Sequence, residues 1–225
     1  MQWLWEVLFP KKCVNCGREG KYVCSECEVG LWEEEQICPV CCRASRYGLR
    51  HKYCREPYSL DGLTALWAYE GIARRLIAKA KYTFRYDYLR EFSNFNYQFS
   101  NKPEFNQFLK FLEMKPVAVA VPLYKNREKW RGFNQAEMIA KWVGETWELS
   151  TQKLLERVKD TGQQMMRNRV ERLVAMEDAF RINGQVPKNI LLVDDVWTSG
   201  ATMRECAKVL KKSGVKKVWG LVLAR

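Results

Sequence analysis

The apolar positions of the chain gather into four short continuous runs, Leu63 to Tyr69, Val117 to Val121, Ile190 to Val193 and Val218 to Ala224. Runs of this length, rich in aliphatic and β-branched residues, read as strands covered on both faces in a parallel sheet. Between them the pattern changes to helical spacing. Gly71 to Lys81 reads as a basic helix and Asn134 to Glu145 as a second; Met203, Cys206, Ala207 and Leu210 mark the apolar face of a third, ended by Gly214. Strands alternating with helices predict a doubly wound parallel α/β sheet. Tyr88, Phe92, Phe95 and Phe99 recur at intervals of four, three and four, so they line one helical face. Core packing is the first reading of that stripe. Its interleaving with Arg74, Arg75, Lys79, Lys81 and Arg85 also suits a platform on which the bases of single-stranded nucleic acid stack.

The stretch Ile190 to Thr202, ILLVDDVWTSGAT, carries the densest chemistry. Asp194 and Asp195 fall where the strand is expected to end, and in open α/β sheets ligands collect at the carboxyl ends of strands. Two acceptor-only carboxylates there suit a pair of vicinal hydroxyls. Trp197, Thr198, Ser199, Gly200 and Ala201 follow as a turn, in which Gly200 allows close backbone approach and the hydroxyls add donors. Thr202 and Glu205 spell a T-x-x-E capping box, which predicts a helix opening directly after the turn. Its free N–H groups and the positive end of its dipole then make a phosphate site. The combination is that of a sugar-phosphate site. The chain has no G-x-x-x-x-G-K-[ST] and no G-x-G-x-x-G, which argues against nucleoside triphosphatases and dinucleotide-binding proteins. A polar loop from Lys125 to Arg131 follows the Val117 strand, placed to receive a second phosphate group facing the first.

Before the first strand the chain changes character: Cys13-x2-Cys16, Cys24-x2-Cys27, Cys38-x2-Cys41 and His51-x2-Cys54. Two residues between ligands is the spacing of a knuckle in which both side chains reach one tetrahedral ion, so four pairs supply two structural zinc sites. The sole histidine stands where a cysteine would complete the fourth pair. Disulfides are disfavoured in a cytoplasmic chain. The pairing stays open, sequential or cross-braced. Cys42 and Cys206 are left over, Cys206 on an apolar helix face.

The 225 residues give room for one full core and a small module, divided here into a zinc-binding module over 1–56 and an α/β domain over 57–225. The formal net charge is +12, which two zinc sites with seven thiolates lower to about +9. Such a charge favours polyphosphates and nucleic acid. No apolar run approaches the ~20 residues of a membrane-spanning helix. The N-terminal run Trp3, Leu4, Trp5, Val7, Leu8 and Phe9, stopped by Pro10, reads as a cap on the zinc module rather than a surface anchor. It lacks a basic lead-in and a cleavage site, so the expectation is a cytoplasmic protein without a membrane span.

VDDVWTSGAT resembles the phosphoribosyl-pyrophosphate (PRPP) motif of type I phosphoribosyltransferases. The resemblance implies that Val193, Asp194, Asp195, Thr198, Ser199, Gly200, Ala201 and Thr202 hold PRPP, the acids on the ribose hydroxyls and the turn around the 5′-phosphate. Ser199 stands where a second threonine is commoner, and Trp197 is bulkier than usual; neither removes a donor. VPLYKNREKWRGFNQAEMIA is similar to the corresponding stretch of the ComF-type competence proteins, which also carry zinc knuckles and the PRPP motif. The likeness runs on through Leu154, Leu155, Glu156 and Arg157, then Thr161 and Gln164, to Arg172, Ala179 and Phe180, with Ala175 standing where the family usually has asparagine. Gln163 to Asn168 fits a lid over the site.

What the family implies is PRPP bound with Mg²⁺ bridging its ribose hydroxyls and pyrophosphate, and attack at the sugar C1 that expels pyrophosphate. Lys125, Arg127 and Lys129 would meet the pyrophosphate, and Asp194, Asp195 and Arg131 would form the catalytic set by orienting ribose and offsetting charge. None is an obvious general base, since His51 is assigned to metal. The family also implies a part in natural transformation, handling incoming single-stranded DNA alongside other DNA-uptake proteins. The PRPP site would then be either enzymatic or ligand-sensing.

Overall fold

The four apolar runs fold as the strands of one sheet. In chain order the computed structural model contains α1 (Ser25–Glu28), β1 (Gly62–Trp67), α2 (Gly71–Tyr82), α3 (Asp87–Arg90), α4 (Asn106–Leu112), β2 (Val117–Ala120), α5 (Lys125–Arg131), α6 (Gln135–Trp147), β3 (Leu155–Arg157), β4 (Phe180–Ile182), β5 (Asn189–Val196), α7 (Ala201–Lys212) and β6 (Lys217–Ala224). The structure describes residues 10–31, 33–54, 56–82, 87–90, 102–160 and 177–225. Phe92, Phe95, Phe99, the run before Pro10 and the stretch Gln163 to Asn168 lie outside the described residues.

The sheet order is β1-β6-β5-β2 with every neighbour parallel, and β3 and β4 form a separate antiparallel pair. Successive side chains on a strand point to opposite faces. Leu191 and Val193 of β5 therefore pack with Leu76 and Ile77 of α2, Phe108 of α4 and Val143 of α6. Ile190 and Leu192 pack on the other side with Met203, Cys206 and Leu210 of α7 and with Leu155 and Phe180 of the β3–β4 pair. Helix α6, which follows β2 and α5, and helix α7, which follows β5, thus cover opposite faces. Chains leaving two neighbouring strands in opposite directions open a crevice between the strands' carboxyl ends.

Both sheet edges are closed. The side-chain amide of Gln36 takes the place of a neighbouring strand along β1: Nε2 donates to the Ala65 carbonyl at 2.9 Å, and Oε1 accepts the Ala65 amide at 3.2 Å. Along β2, the Ala118 amide donates to Ser150 O at 2.8 Å and its carbonyl accepts from Gln152 N at 3.1 Å. The N-terminal module shares the domain's interior. Tyr22, Val23 and Leu31 belong to the cluster beneath α2 and α4, and Ile37 to the cluster beneath α7.

Two sequence expectations are corrected. Lys125 to Arg131, read as a loop, is the helix α5; its run of helix-compatible residues is stopped by Gly132, which takes a left-handed φ of 74° as its amide donates to Glu128 O. The capping box Thr202/Glu205 does not form, because α7 opens two residues earlier, on a left-handed Gly200 and without a side-chain cap. Glu205 turns instead to a tertiary partner, its Oε1 accepting the Asp178 amide at 3.2 Å.

Gly62 lies directly under the Trp219 indole, and a Cβ there would fall 2.7 Å from ring atoms. That ring donates from Nε1 to Thr64 Oγ1 at 3.0 Å and stacks on Phe111 with centroids 5.5 Å apart. Gly62→Ala is expected to destabilise the fold by about 1–3 kcal/mol through overpacking. The check is urea unfolding, where a lowered midpoint at unchanged slope is expected and a wild-type midpoint would refute it.

Candidate phosphate-binding crevice and metal centres

Strand β5 runs on to Val196, so Asp194 and Asp195 lie inside it rather than at its end as the sequence suggested. The ladder with β2 nevertheless stops at Ala120–Val193, whereas the ladder with β6 continues to Val196–Ala224. The two acids occupy the part of β5 that overhangs β2, on the rim of the crevice. Strand periodicity sends them to opposite faces. Asp195 faces α2, where Lys81 Nζ lies 2.9 Å from its Oδ2, with the two side chains only 19% and 12% exposed. Asp194 faces the β3 side, where it feels the charge of Arg157, and its Oδ1 accepts the Asp195 amide at 2.9 Å.

This enclosure sets the electrostatics. Burial, reinforced by the Asp195 charge, pushes the Asp194 carboxyl up to about 7, against the pull of the Asp195 amide, Lys81 and Arg157. Burial alone would lower the Lys81 ammonium, but the charge and hydrogen bond of Asp195 outweigh it and raise it. Arg157 is 6% exposed. Burial and the nearby Arg127 charge hold it below the ordinary guanidinium value. Sequence reasoning did not assign Lys81 or Arg157 to the site, one being a residue of a basic helix and the other of a three-residue strand. Lys81 entered only as one cation of the basic helix, and Arg157 only within the stretch similar to the ComF-type proteins.

The turn after β5 is built on Trp197 and Gly200. Trp197 is 3% exposed, and a Cβ at Gly200 would sit 2.2 Å from its Cζ2, so the turn needs glycine for space as well as for its φ of 75°. Thr198 stands exposed and Ser199 is partly buried, its Oγ 3.4 Å from the Ala201 amide that opens the twelve-residue α7. Across the crevice, Lys125 pairs with Glu156 at 2.9 Å and Arg131 donates to Gln135 Oε1 at 3.2 Å. Arg127 is an α5 cation whose charge reaches Arg157. Lys129 is exposed. Asn134 caps α6 by accepting the Ala136 amide at 3.0 Å, and its Nδ2 donates to Val121 O at 3.1 Å, which ties α6 to the end of β2. A separate cavity of about 600 Å³ is lined by Glu33, Glu34, Glu35 and Glu104, with Arg46 among the others, and lies away from the acid pair.

The eight knuckle residues fall into two clusters, Cys13, Cys16, Cys24 and Cys27, and Cys38, Cys41, His51 and Cys54, each with its ligand atoms within 4.8 Å of one another. The arrangement is therefore sequential. Tetrahedral zinc with bonds of about 2.3 Å to sulfur spaces its sulfur ligands about 3.8 Å apart. Cys16 and Cys24 sulfurs are 3.6 Å apart, and Cys41 Sγ lies 3.3 Å from His51 Nδ1. Donor type, count and spacing fit two structural zinc ions. His51 Nε2 lies 3.1 Å from Ala44 O, so that nitrogen carries the proton and Nδ1 is left for metal. Burial raises the Cys38 thiol, but the amides of Cys41, His51 and Val40 donate to it and bring it below its ordinary value. Cys206 is fully buried in the core. No helix among the described residues is long and apolar enough to cross a membrane.

A parallel α/β domain with an acid pair at its crevice, fronted by two sequential metal knuckle clusters, defines a class of zinc-ribbon α/β proteins. The model of the double zinc ribbon domain family matches residues 4–56. Competence protein ComFC of Streptococcus pneumoniae is 28% identical over 239 positions, covering 95% of this chain and 100% of that protein. ComFC of Bacillus subtilis is 27% identical over 225 positions, covering 93% and 84% respectively. Competence protein F of Haemophilus influenzae is 32% identical over 120 positions, and there the match spans about half of each chain, 50% and 52%. The chain is thus similar over nearly its whole length to the ComFC competence proteins, and its N-terminal part matches a double zinc ribbon.

Because the folded state raises Asp194 well above its ordinary value, the native protein holds that proton more tightly than the unfolded chain does. Stability attributable to this group is therefore lost as pH rises from about 4 through about 7. Asp194→Asn carries no charge to bury. It is expected to stabilise the fold by roughly 1–3 kcal/mol at pH 8 and to leave it nearly unchanged at pH 4. Denaturant midpoints measured at both pH values decide this, and an equal effect at the two would contradict the raised carboxyl.

Proposed function

We propose that the protein binds PRPP, or a closely related sugar phosphate, in the crevice between β2 and β5. The observation that supports this most directly is the acid pair overhanging β2, followed at once by a glycine turn that opens a twelve-residue helix. In this reading Asp194 and Asp195 accept the ribose hydroxyls, and Thr198, Ser199, Gly200, Ala201 and Thr202 surround the 5′-phosphate with hydroxyl and amide donors. Val193 supplies backbone beside them. Arg127, Lys129 and Arg131, with Lys125, offset the pyrophosphate charge, and buried Arg157 adds a cation that the sequence did not disclose. Lys81 must yield part of its hold on Asp195 as the ribose arrives. Mg²⁺ would enter with the substrate's pyrophosphate and neutralise part of its charge.

With an acceptor nucleophile in place, the C1–O bond to pyrophosphate breaks as the bond to the acceptor forms; without one, the same site serves as a PRPP sensor. The relatives' names, competence proteins, support a place in the cytoplasmic handling of incoming single-stranded DNA, in company with other DNA-uptake proteins. The zinc module over 1–56 and the domain over 57–225 would divide the work between scaffold and site. Calorimetric titration of PRPP with Mg²⁺ into the zinc-replete protein should give saturable binding, weakened tenfold or more by Asp195→Asn with circular dichroism unchanged. No binding to the folded wild-type protein would reject this reading.

A second reading, single-stranded nucleic-acid binding, is favoured by Trp130, which is 62% exposed on α5 among Lys125, Arg127 and Lys129. An exposed indole between cations offers a base-stacking face and phosphate contacts together. Oligonucleotide affinity should fall steeply with salt and drop by about 1–3 kcal/mol in Trp130→Ala. Fluorescence anisotropy across a salt series tests it; affinity insensitive to both salt and the substitution would remove α5 from any nucleic-acid surface.

A further inference from the structure

The second metal cluster and the sugar-phosphate turn are joined by one side chain. Arg204, in the first turn of α7, points its guanidinium at the Cys38–Cys41 knuckle: Nε donates to Pro39 O at 2.7 Å and an Nη to Val40 O at 3.0 Å, and the same Nη lies 2.9 Å from Cys42 Sγ. Those two carbonyls belong to the peptide units whose N–H groups, on Val40 and Cys41, donate to Cys38 Sγ. Each peptide plane is thus held by a metal-ligand sulfur on one side and by Arg204 on the other. The orientation that presents amides to a thiolate is the one that presents carbonyls to the guanidinium.

The other end of the connection lies in the turn. The Arg204 guanidinium sits 5.3 Å over the Trp197 ring. The opposite constraint on that ring is Gly200, whose missing Cβ would be only 2.2 Å from it. Arg204 closes the loop through its own backbone, its amide donating to Gly200 O at 2.9 Å. The path from zinc ligand to anion-binding amides is therefore Cys38, two peptide planes, Arg204, Trp197 and Gly200, with a direct contact at every step.

The geometry points to a thermodynamic coupling between the second zinc site and the sugar-phosphate turn, with Arg204 as the positioning residue that carries it. The inference rests on the reading of that turn as the phosphate site. Zinc at Cys38, Cys41, His51 and Cys54 fixes the two carbonyls, these hold Arg204, and Arg204 holds Trp197 where the turn needs it. Coupling of this kind is reciprocal, so bound ligand must strengthen zinc retention at the second site by the factor by which zinc strengthens ligand binding. The first site, which makes no such contact with the turn among the described residues, should not take part. Lysine cannot reproduce the link, because its single ammonium lacks the planar fork that spans two carbonyls.

The test uses the full chain with both zinc sites filled, comparing wild type with Arg204→Lys, and with Cys54→Ser to weaken the second site and Cys16→Ser to weaken the first. Three readouts are taken: hydrogen exchange of the amides from 198 to 203, calorimetric affinity for PRPP with Mg²⁺, and zinc retention against a chelator with and without PRPP. Expected for Arg204→Lys is faster exchange confined to the turn, about tenfold weaker PRPP binding, and loss of the protection that PRPP gives the second zinc. Cys54→Ser should reproduce the first two effects, and Cys16→Ser should not. Wild-type behaviour of Arg204→Lys in turn exchange and zinc retention overturns the coupling. If wild-type protein binds no PRPP while turn exchange still follows the second site and Arg204, the link stands and the assignment of its ligand falls.

Discussion

Two adjacent residues of a β-strand cannot point the same way, and the crevice end of this protein's sheet is arranged around that constraint. Asp194 and Asp195 lie inside β5, so one carboxylate enters each face of the sheet, and each face must supply a cation or leave a buried charge uncompensated. Lys81 meets Asp195 from α2 and Arg157 approaches Asp194 from β3. The elements on the two sides of the sheet thereby converge on a single dipeptide. The crevice exists because β2 stops short of that dipeptide while β6 does not, which leaves the acids supported along one edge and open along the other.

The zinc ribbon is built into this arrangement from two directions. Its first half contributes Tyr22 and Leu31 to the core that carries α2, and hence Lys81; its second half contributes Ile37 to the core that carries α7. Short knuckles with few apolar residues cannot bury a core of their own, so metal ligation supplies local order and the domain supplies the burial. Among the ribbon's polar contacts, Gln36 meets the backbone of β1, and the Pro39 and Val40 carbonyls hold Arg204 beside Trp197.

Much of this was legible in the residues. The strands stand within a few positions of the apolar runs, because continuous burial on both faces leaves an unmistakable pattern, and the knuckle spacings gave the correct eight clustered ligand residues. Pairing was not legible, since equal spacings permit either arrangement; local folding of each half selects the sequential one. The basic stretch at 125–131 was read by its charge, which hid both its helix-forming residues and the glycine that stops it. Thr202 and Glu205 showed how a local capping signal loses to tertiary partners: the Trp197–Gly200 contact fixes where α7 begins, and the Asp178 amide claims the glutamate. Arg157 and Lys81 were visible only as part of a family-like stretch and of a basic helix, without a role at the acids. Their importance comes from positions that only the folded sheet brings beside the acids.

The contact between Gln36 and Ala65 has a meaning apart from metal and ligand. Strand β1 ends the sheet, and its backbone at Ala65 would present a free donor and acceptor to any passing extended chain. A carboxamide is the one side-chain group that carries the peptide's own donor and acceptor, and Gln36 places both against that residue. The ribbon thus covers this edge with a counterfeit peptide at Ala65, between the bridges of Leu49 to Gly62 and Glu33 to Trp67, a guard against intermolecular strand pairing. One glutamine on the ribbon thereby keeps the domain's own edge from pairing with a neighbouring molecule.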